Sequence, residues 1–281
     1  MTMLPARTKA WTRLVRTAVL ASALGVGLVA CGDSAEPTAE GSVEPTTETS
    51  NETTTALTGD VLVSAAASLT ESFTQLGADF EAANPDVTVT FNFGASSTLA
   101  TQITTGAPAD IFAAASPTTM AVVTDAGGGD GEPVVFVSNR LEIAVPAGNP
   151  GAVDGLDDFA NEGLTIALCA EDVPCGAAAV KAFAAAGITP APDTLEQDVK
   201  ATLTKVELGE VDAALVYHTD VLAAGDTVEG IEFPESESAI NDYPIVLLSE
   251  APNPEAAQAF LDYVLSEEGS QVLADAGFET A

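Results

Sequence analysis

Two stretches of this chain, Ala65-Ala66-Ala67-Ser68-Leu69-Thr70 and Phe93-Gly94-Ala95-Ser96-Ser97-Thr98-Leu99, each lead a β-type apolar segment into the start of an amphipathic helix, with hydroxyls at the joint. A strand, a tight joint and a helix, met twice in succession, set a βαβ rhythm. That rhythm implies a parallel sheet with right-handed crossovers. Each joint is also a ready anion site, because the first N–H groups of a helix have no carbonyl partner and sit at the positive end of its dipole. Two such joints in one α/β chain suggest a pocket for a small oxyanion rather than a centre for covalent chemistry.

The pattern extends along the chain. Val61-Leu62-Val63 reads as a buried strand without polar alternation. Ser68 and Glu71 form a capping-box pattern, and Leu69, Phe73, Leu76 and Phe80 follow at helical spacing up to Asn84-Pro85. Val87, Val89, Phe91 and Phe93 alternate as a second strand, and Ser96 or Ser97 is placed to cap a short helix that ends at Gly106. Ile111-Phe112-Ala113 is a third strand, with Ser116-Pro117 as the next helix start and Gly127–Gly131 as a loop. Further strands are expected at Leu141–Val145, Leu164–Leu168, Ala213–Tyr217 and Ile245–Leu248. Helices are expected after Val173-Pro174-Cys175-Gly176, around Val199, Leu203 and Val206, and around Phe260, Leu261 and Val264, with a further turn or two over Ser270–Ala276.

Charge and the N-terminus bound the setting. The chain has 42 acidic and 8 basic residues, a formal net charge of −34, which excludes nucleic acid and anionic lipid as partners of its surface. Four of the basic residues, Arg7, Lys9, Arg13 and Arg16, precede an apolar run from Ala18 to Ala30. That run is too short to span a bilayer and fits the core of a signal peptide over residues 1–30. It ends Leu28-Val29-Ala30-Cys31-Gly32, which resembles the bacterial lipobox and marks Cys31 for lipidation. Residues 31–58, rich in Thr, Glu, Ser and Pro and without Lys or Arg, read as a disordered acidic tether. Cys169 and Cys175 can oxidise outside the cytoplasmic membrane, so a disulfide is expected. With a single His and no other thiol in the folded part, a metal site is the weaker alternative.

Six pieces in order, Ala66-Ala67-Ser68-Leu69, Ser96-Ser97-Thr98-Leu99-Ala100, Gly106-Ala107-Pro108-Ala109-Asp110, Val173-Pro174-Cys175-Gly176, Asp198-Val199 and Val216-Tyr217, make residues 60–281 resemble the periplasmic molybdate-binding proteins of ABC importers. The resemblance implies a two-lobed α/β fold of the type II, Venus-flytrap kind with mostly parallel sheets. Lobe 1 would hold residues 59–139 and 240–281, and lobe 2 residues 140–239. It implies an oxyanion, molybdate or tungstate, held by Ser68 and Ser96 through hydroxyl and backbone N–H, by the N–H groups of Cys175 and Val199, and by the Tyr217 phenol. Cys175 stands where a small apolar residue is expected, a change that a backbone contact tolerates. No cofactor and no direct metal ligand are implied. The implied partners are an ABC permease with its ATPase, and the outer face of the cell membrane through the lipid on Cys31, for a protein acting as a monomer.

The residues support this ligand set physically. Ser68, Ser96, Cys175 and Val199 all fall at expected helix starts, and Tyr217 ends a strand, where open α/β sheets place ligands. The motifs hold no Lys or Arg. Enough preorganised neutral donors suffice for a dianion, at about 1.5–3 kcal/mol per charge-assisted bond. Another tetrahedral oxyanion, sulfate or phosphate, is the alternative within this class. A serine hydrolase using Ser68 or Ser96 would need a base and an orienting acid, yet the chain has one His, His218, read as a surface residue beside the site, and no Gly-x-Ser-x-Gly elbow. The sequence therefore describes a binding protein, not an enzyme.

Overall fold

The computed structural model describes residues 56–280. Cys31, the signal segment and most of the tether lie outside the described residues. In chain order the elements are β1 (Gly59–Ala66), α1 (Thr70–Ala83), β2 (Val87–Gly94), α2 (Ser96–Thr104), β3 (Ile111–Ala113), α3 (Pro117–Asp125), β4 (Val134–Asn139), β5 (Leu141–Pro146), β6 (Ile166–Cys169) and α4 (Pro174–Ala186). They continue with β7 (Thr194–Glu196), α5 (Val199–Glu207), β8 (Ala213–Tyr217), α6 (His218–Ala224), β9 (Val228–Ile231), β10 (Asn241–Leu247), α7 (Pro254–Val264), α8 (Glu267–Asp275) and β11 (Glu279–Thr280).

The strands form two sheets. One has six strands in the order β11-β4-β10-β3-β1-β2, and the other five in the order β7-β6-β8-β5-β9. The chain passes from the first sheet to the second through the single residue Arg140 and returns between Ile231 and Asn241. The sheets are mixed rather than mostly parallel: four strand pairs are parallel and five antiparallel. The reason is connectivity. Strands joined within a sheet by a helix, such as β1, β2 and β3, must run parallel. β5 and β10 arrive from the other sheet and need no such crossover, so both pair antiparallel with their neighbours. The expected apolar segments at Val61–Val63, Val87–Phe93, Ile111–Ala113 and Ala213–Tyr217 are strands, and β4, β7, β9 and β11 are additions that the sequence reading did not contain.

Each sheet buries its own apolar cluster. In the six-stranded half, Leu69, Phe73, Leu76 and Phe80 of the first helical segment turn inward against Val61, Val63, Phe260 and Val264. Each such side chain contributes about 1.5–3 kcal/mol by leaving water. Gly77, on the same helix face, lets the Phe91 ring lie close; a Cβ there would meet the ring at 2.7 Å. In the five-stranded half, Ile143, Ile166, Leu215, Phe159, Phe183 and Leu203 form the core. Asp110 is fully buried and is consumed by structure: its carboxylate accepts the N–H groups of Leu62 at 2.7 Å and Asn253 at 2.6 Å.

The helix starts differ from expectation in one respect. Neither Ser68 nor Ser96 caps a helix with its side chain. Ser68 lies in a 3-10 turn, Ala67–Leu69, that precedes α1, and Ser96 is the first residue inside α2 after Ala95. Long-range partners take both hydroxyls, and Glu71, freed from the capping box, reaches Lys200 instead. Ser116 does cap α3, accepting the Thr119 N–H, with Pro117 at the first helical position.

Candidate functional site

Ser68, Ser96, Cys175, Val199 and Tyr217 all line one small cavity of about 20 Å³, together with Ala66, Ala67, Gly94, Ala95, Ala115, Val173, Pro174 and Asp198. The joints after β1 and β2 form one wall and those after β6, β7 and β8 the other. The cavity therefore lies where the C-terminal ends of strands from both sheets face each other. All five residues are buried. Four of them occupy first turns, where the backbone N–H has no helical partner and faces outward.

Local chemistry fixes each amide. Asp198 caps α5 by accepting the Ala201 N–H at 2.8 Å, which sets the first residue, Val199, at the open end of the helix. Pro174 at the first position of α4 sets the helical φ without spending a donor. Cys175 is joined to Cys169 at the end of β6, S–S 2.08 Å, so the turn from strand to helix is covalently closed. Gly176 completes the fit: a Cβ there would sit 1.9 Å from the Ala170 carbonyl oxygen.

The three hydroxyls are held from behind. Ser96 Oγ accepts the Ala115 N–H at 2.9 Å, so its own proton remains to be donated. The Tyr217 phenol accepts from Asn241 Nδ2 at 2.7 Å, with the same consequence. Ser68 Oγ lies 2.8 Å from the Tyr243 hydroxyl. Burial, foremost, holds both phenols well above the ordinary tyrosine value, so Tyr217 and Tyr243 keep their protons and can donate. Tyr243, Asn241 and Ala115 are site components that the sequence reading missed. The partners of Ser68 and Ser96 are 175 and 19 residues away in the chain, and no local signal marks them.

Among the described residues that line the cavity, none is Lys or Arg, and its one carboxylate, Asp198, is spent on its helix cap. Lys200 follows Val199, but its ammonium pairs with Glu71 at 2.8 Å and Asp220 at 3.0 Å. The contact to Asp220 Oδ1 is ionic, off the line of a hydrogen bond, while Oδ2 accepts the Tyr217 N–H. Burial raises the Asp220 carboxyl above its usual range and Lys200 opposes that shift. His218, beside Tyr217, is bonded to Glu142 at 2.6 Å, which makes it a structural partner and not a lining residue. Among the described residues no group of three or more His, Cys, Asp or Glu could hold a metal ion. Chemically the cavity offers hydrogen-bond donors and one end of several helix dipoles, the requirements of an anion and not of a nucleophile.

Residues 61–279 match the family model described as bacterial extracellular solute-binding protein. The molybdate-binding protein ModA of Mycobacterium tuberculosis is 37% identical over 262 residues, covering 93% of this chain and 96% of the relative. The molybdate-binding protein ModA of Haemophilus influenzae is 32% identical over 234 residues, covering 79% and 91%. Among solved structures, the periplasmic molybdate-binding protein of Azotobacter vinelandii superposes with a TM-score of 0.70 at 18% identity, covering 79% of this chain and 99% of that one.

Proposed function

The chain belongs to the family of bacterial extracellular solute-binding proteins, and we propose that it captures molybdate, with tungstate as a second ligand, and delivers it to an ABC importer. The observation that carries this reading is the donor-only cavity: hydroxyls and first-turn amides from two sheets converge on one space whose lining holds no cation. In this reading Ser68 and Ser96 bind through hydroxyl and amide, Cys175 and Val199 through amides, and Tyr217 through its phenol. Each charge-assisted bond contributes about 1.5–3 kcal/mol, and together they replace the hydration of a tetrahedral dianion without a fixed counter-charge. The absence of a strong cation suits a protein that must release its cargo. The named function of the curated relatives supports the same ligand.

The two halves then act as lobes, residues 59–139 with 240–281 and residues 140–239. Their closure over the anion presents the surface that the permease reads, a shift of population between open and closed forms. The lipobox Cys31 ties the monomer to the outer face of the membrane through the acidic tether, and a Cys31→Ser chain released into the medium would support that anchor. Titration calorimetry with sodium molybdate tests the function. Saturable heat and a ligand-dependent rise in melting temperature are expected, about 2.7 kcal/mol of added stability at a hundredfold excess over Kd. Absence of both, or equal displacement by sulfate, would overturn it.

A further inference from the structure

We infer that Asn241 is a positioning residue that fixes the direction of the hydrogen bonds in the site, and thereby selects oxyanions that carry no proton. The inference rests on Tyr217 being a ligand, as proposed above. Asn241 is the first residue of β10, at the point where the chain returns to the six-stranded sheet, and it is buried. Its side-chain nitrogen lies 2.7 Å from the Ala115 carbonyl oxygen and 2.7 Å from the Tyr217 hydroxyl. A carbonyl oxygen can only accept, so the group facing it must be the NH2 and not the amide oxygen. The second proton of that NH2 points at Tyr217, and the phenol oxygen must accept it. The single proton of the phenol is thereby left for another partner, either the neighbouring Tyr243 hydroxyl or a guest in the cavity that Tyr217 lines.

Ala115 extends the effect. Its carbonyl is held by Asn241 and its N–H by Ser96 Oγ, so the strand end bound to Asn241 also keeps the Ser96 hydroxyl in the donating sense. At Ser96 and Tyr217 the guest meets hydroxyls whose accepting side is already engaged by the scaffold. A fully deprotonated tetrahedral dianion satisfies them all. A dianion of the same shape that carries one proton brings a donor with no acceptor, and a buried donor without a partner is costly.

Selenate and hydrogen arsenate are similar in size and charge at mildly alkaline pH and differ by that proton, so they are the probes. Each is used to displace molybdate from the purified protein in competition calorimetry. Wild-type protein is expected to prefer selenate to arsenate by about tenfold or more. In Asn241→Asp, whose carboxylate can accept the phenol proton, and in Asn241→Ala, which frees the phenol to turn, the preference is expected to collapse towards unity. Asn241→Ala introduces no buried charge and carries the test if Asn241→Asp fails to fold. Equal displacement by the two anions in wild-type protein, which requires no variant, overturns the inference. So does a preference that persists in a folded variant while both affinities fall together, since a merely structural role would lower them alike. Failure of wild-type protein to bind molybdate at all would instead sink the proposed function and this inference with it.

Discussion

In the proposed site the six-stranded half offers two serine hydroxyls beside the amides of the same residues, Ser68 and Ser96, whereas the five-stranded half offers Cys175 and Val199 through backbone amides alone, and one phenol. The supports differ in kind as well. On the serine side each hydroxyl is oriented by a distant partner, the Tyr243 hydroxyl or the Ala115 N–H. On the amide side the helix start itself is braced, by the Asp198 cap, by Pro174 and by the Cys169–Cys175 disulfide. The contrast separates two ways of storing specificity. A hydroxyl can be deleted by one substitution and its partner left stranded; an amide survives any side-chain change and yields only to a change of backbone.

Val199 offers the sharpest way to break that contrast. Proline is tolerated at the first position of a helix, and the preceding residue, Asp198, is already extended at φ −158° and ψ 172°, the conformation that precedes a proline comfortably. Val199→Pro therefore removes the donor while keeping the helix, and molybdate affinity is expected to fall by about 1.5–3 kcal/mol, roughly 10–150-fold. Val199→Ala keeps the amide, and its affinity is expected to stay within about threefold of wild type once folding is confirmed by thermal melting. Similar affinities for the two variants would remove the amide from the site.

Ser96→Ala probes the opposite wall. It deletes one donor and leaves the Ala115 N–H without its acceptor, but the Ser96 amide stays in place. A loss of about 1–2 kcal/mol, roughly 5–30-fold, is expected by calorimetry. An unchanged affinity would mean that Ser96 serves only the packing of β3 against α2.

The same contrast explains what could be read without a structure. The helix starts were legible because they are local: a β-type run, a small or hydroxyl residue, then apolar positions three and four apart. The strands Val61–Val63 and Ala213–Tyr217 were legible because they are uninterrupted apolar runs. The role of each serine was not legible, because a serine before a helix looks the same whether it caps or faces a tyrosine 175 residues away. Asn241 was invisible for the same reason: its partners Ala115 and Tyr217 are 126 and 24 residues distant. The antiparallel strands depend on how the chain moves between sheets, which hydropathy does not encode. β4 went unread because Val134 and Val135 are exposed, so its pattern follows the Gly-rich loop without clear alternation.

Removing the staple tests whether the amide side relies on covalent closure. The Cys169→Ala/Cys175→Ala double variant opens a loop of sequence separation 6. For a loop of this size the chain-entropy model gives about 2 kcal/mol of stability, measurable by denaturant unfolding. Molybdate affinity is expected to fall by less than in Ser96→Ala, since Pro174 and the close approach at Gly176 still hold the helix start. A larger loss of affinity than of stability would show that the disulfide, and not the helix geometry, sets the Cys175 amide.

The smallest effect is expected where the two halves touch through charge. Lys200, next to Val199, bridges Asp220 of its own half to Glu71 on α1 of the other. Burial alone would lower the lysine's pKa, but Asp220 and Glu71 outweigh it and the value is raised. A cation whose folded pKa is raised stabilises the fold below its ordinary range and loses that contribution as pH rises through the raised value. Glu71 is half exposed, so Glu71→Gln is expected to cost only about 0.2–1 kcal/mol of binding, and less at high salt. The difference between wild type and variant should hold from neutral pH to the ordinary lysine range near 10.5 and disappear above the raised value. A loss as large as that of Ser96→Ala, insensitive to salt and pH, would mean that α1 and α5 are held together by this pair, and that the donors alone do not keep the two walls closed on the anion.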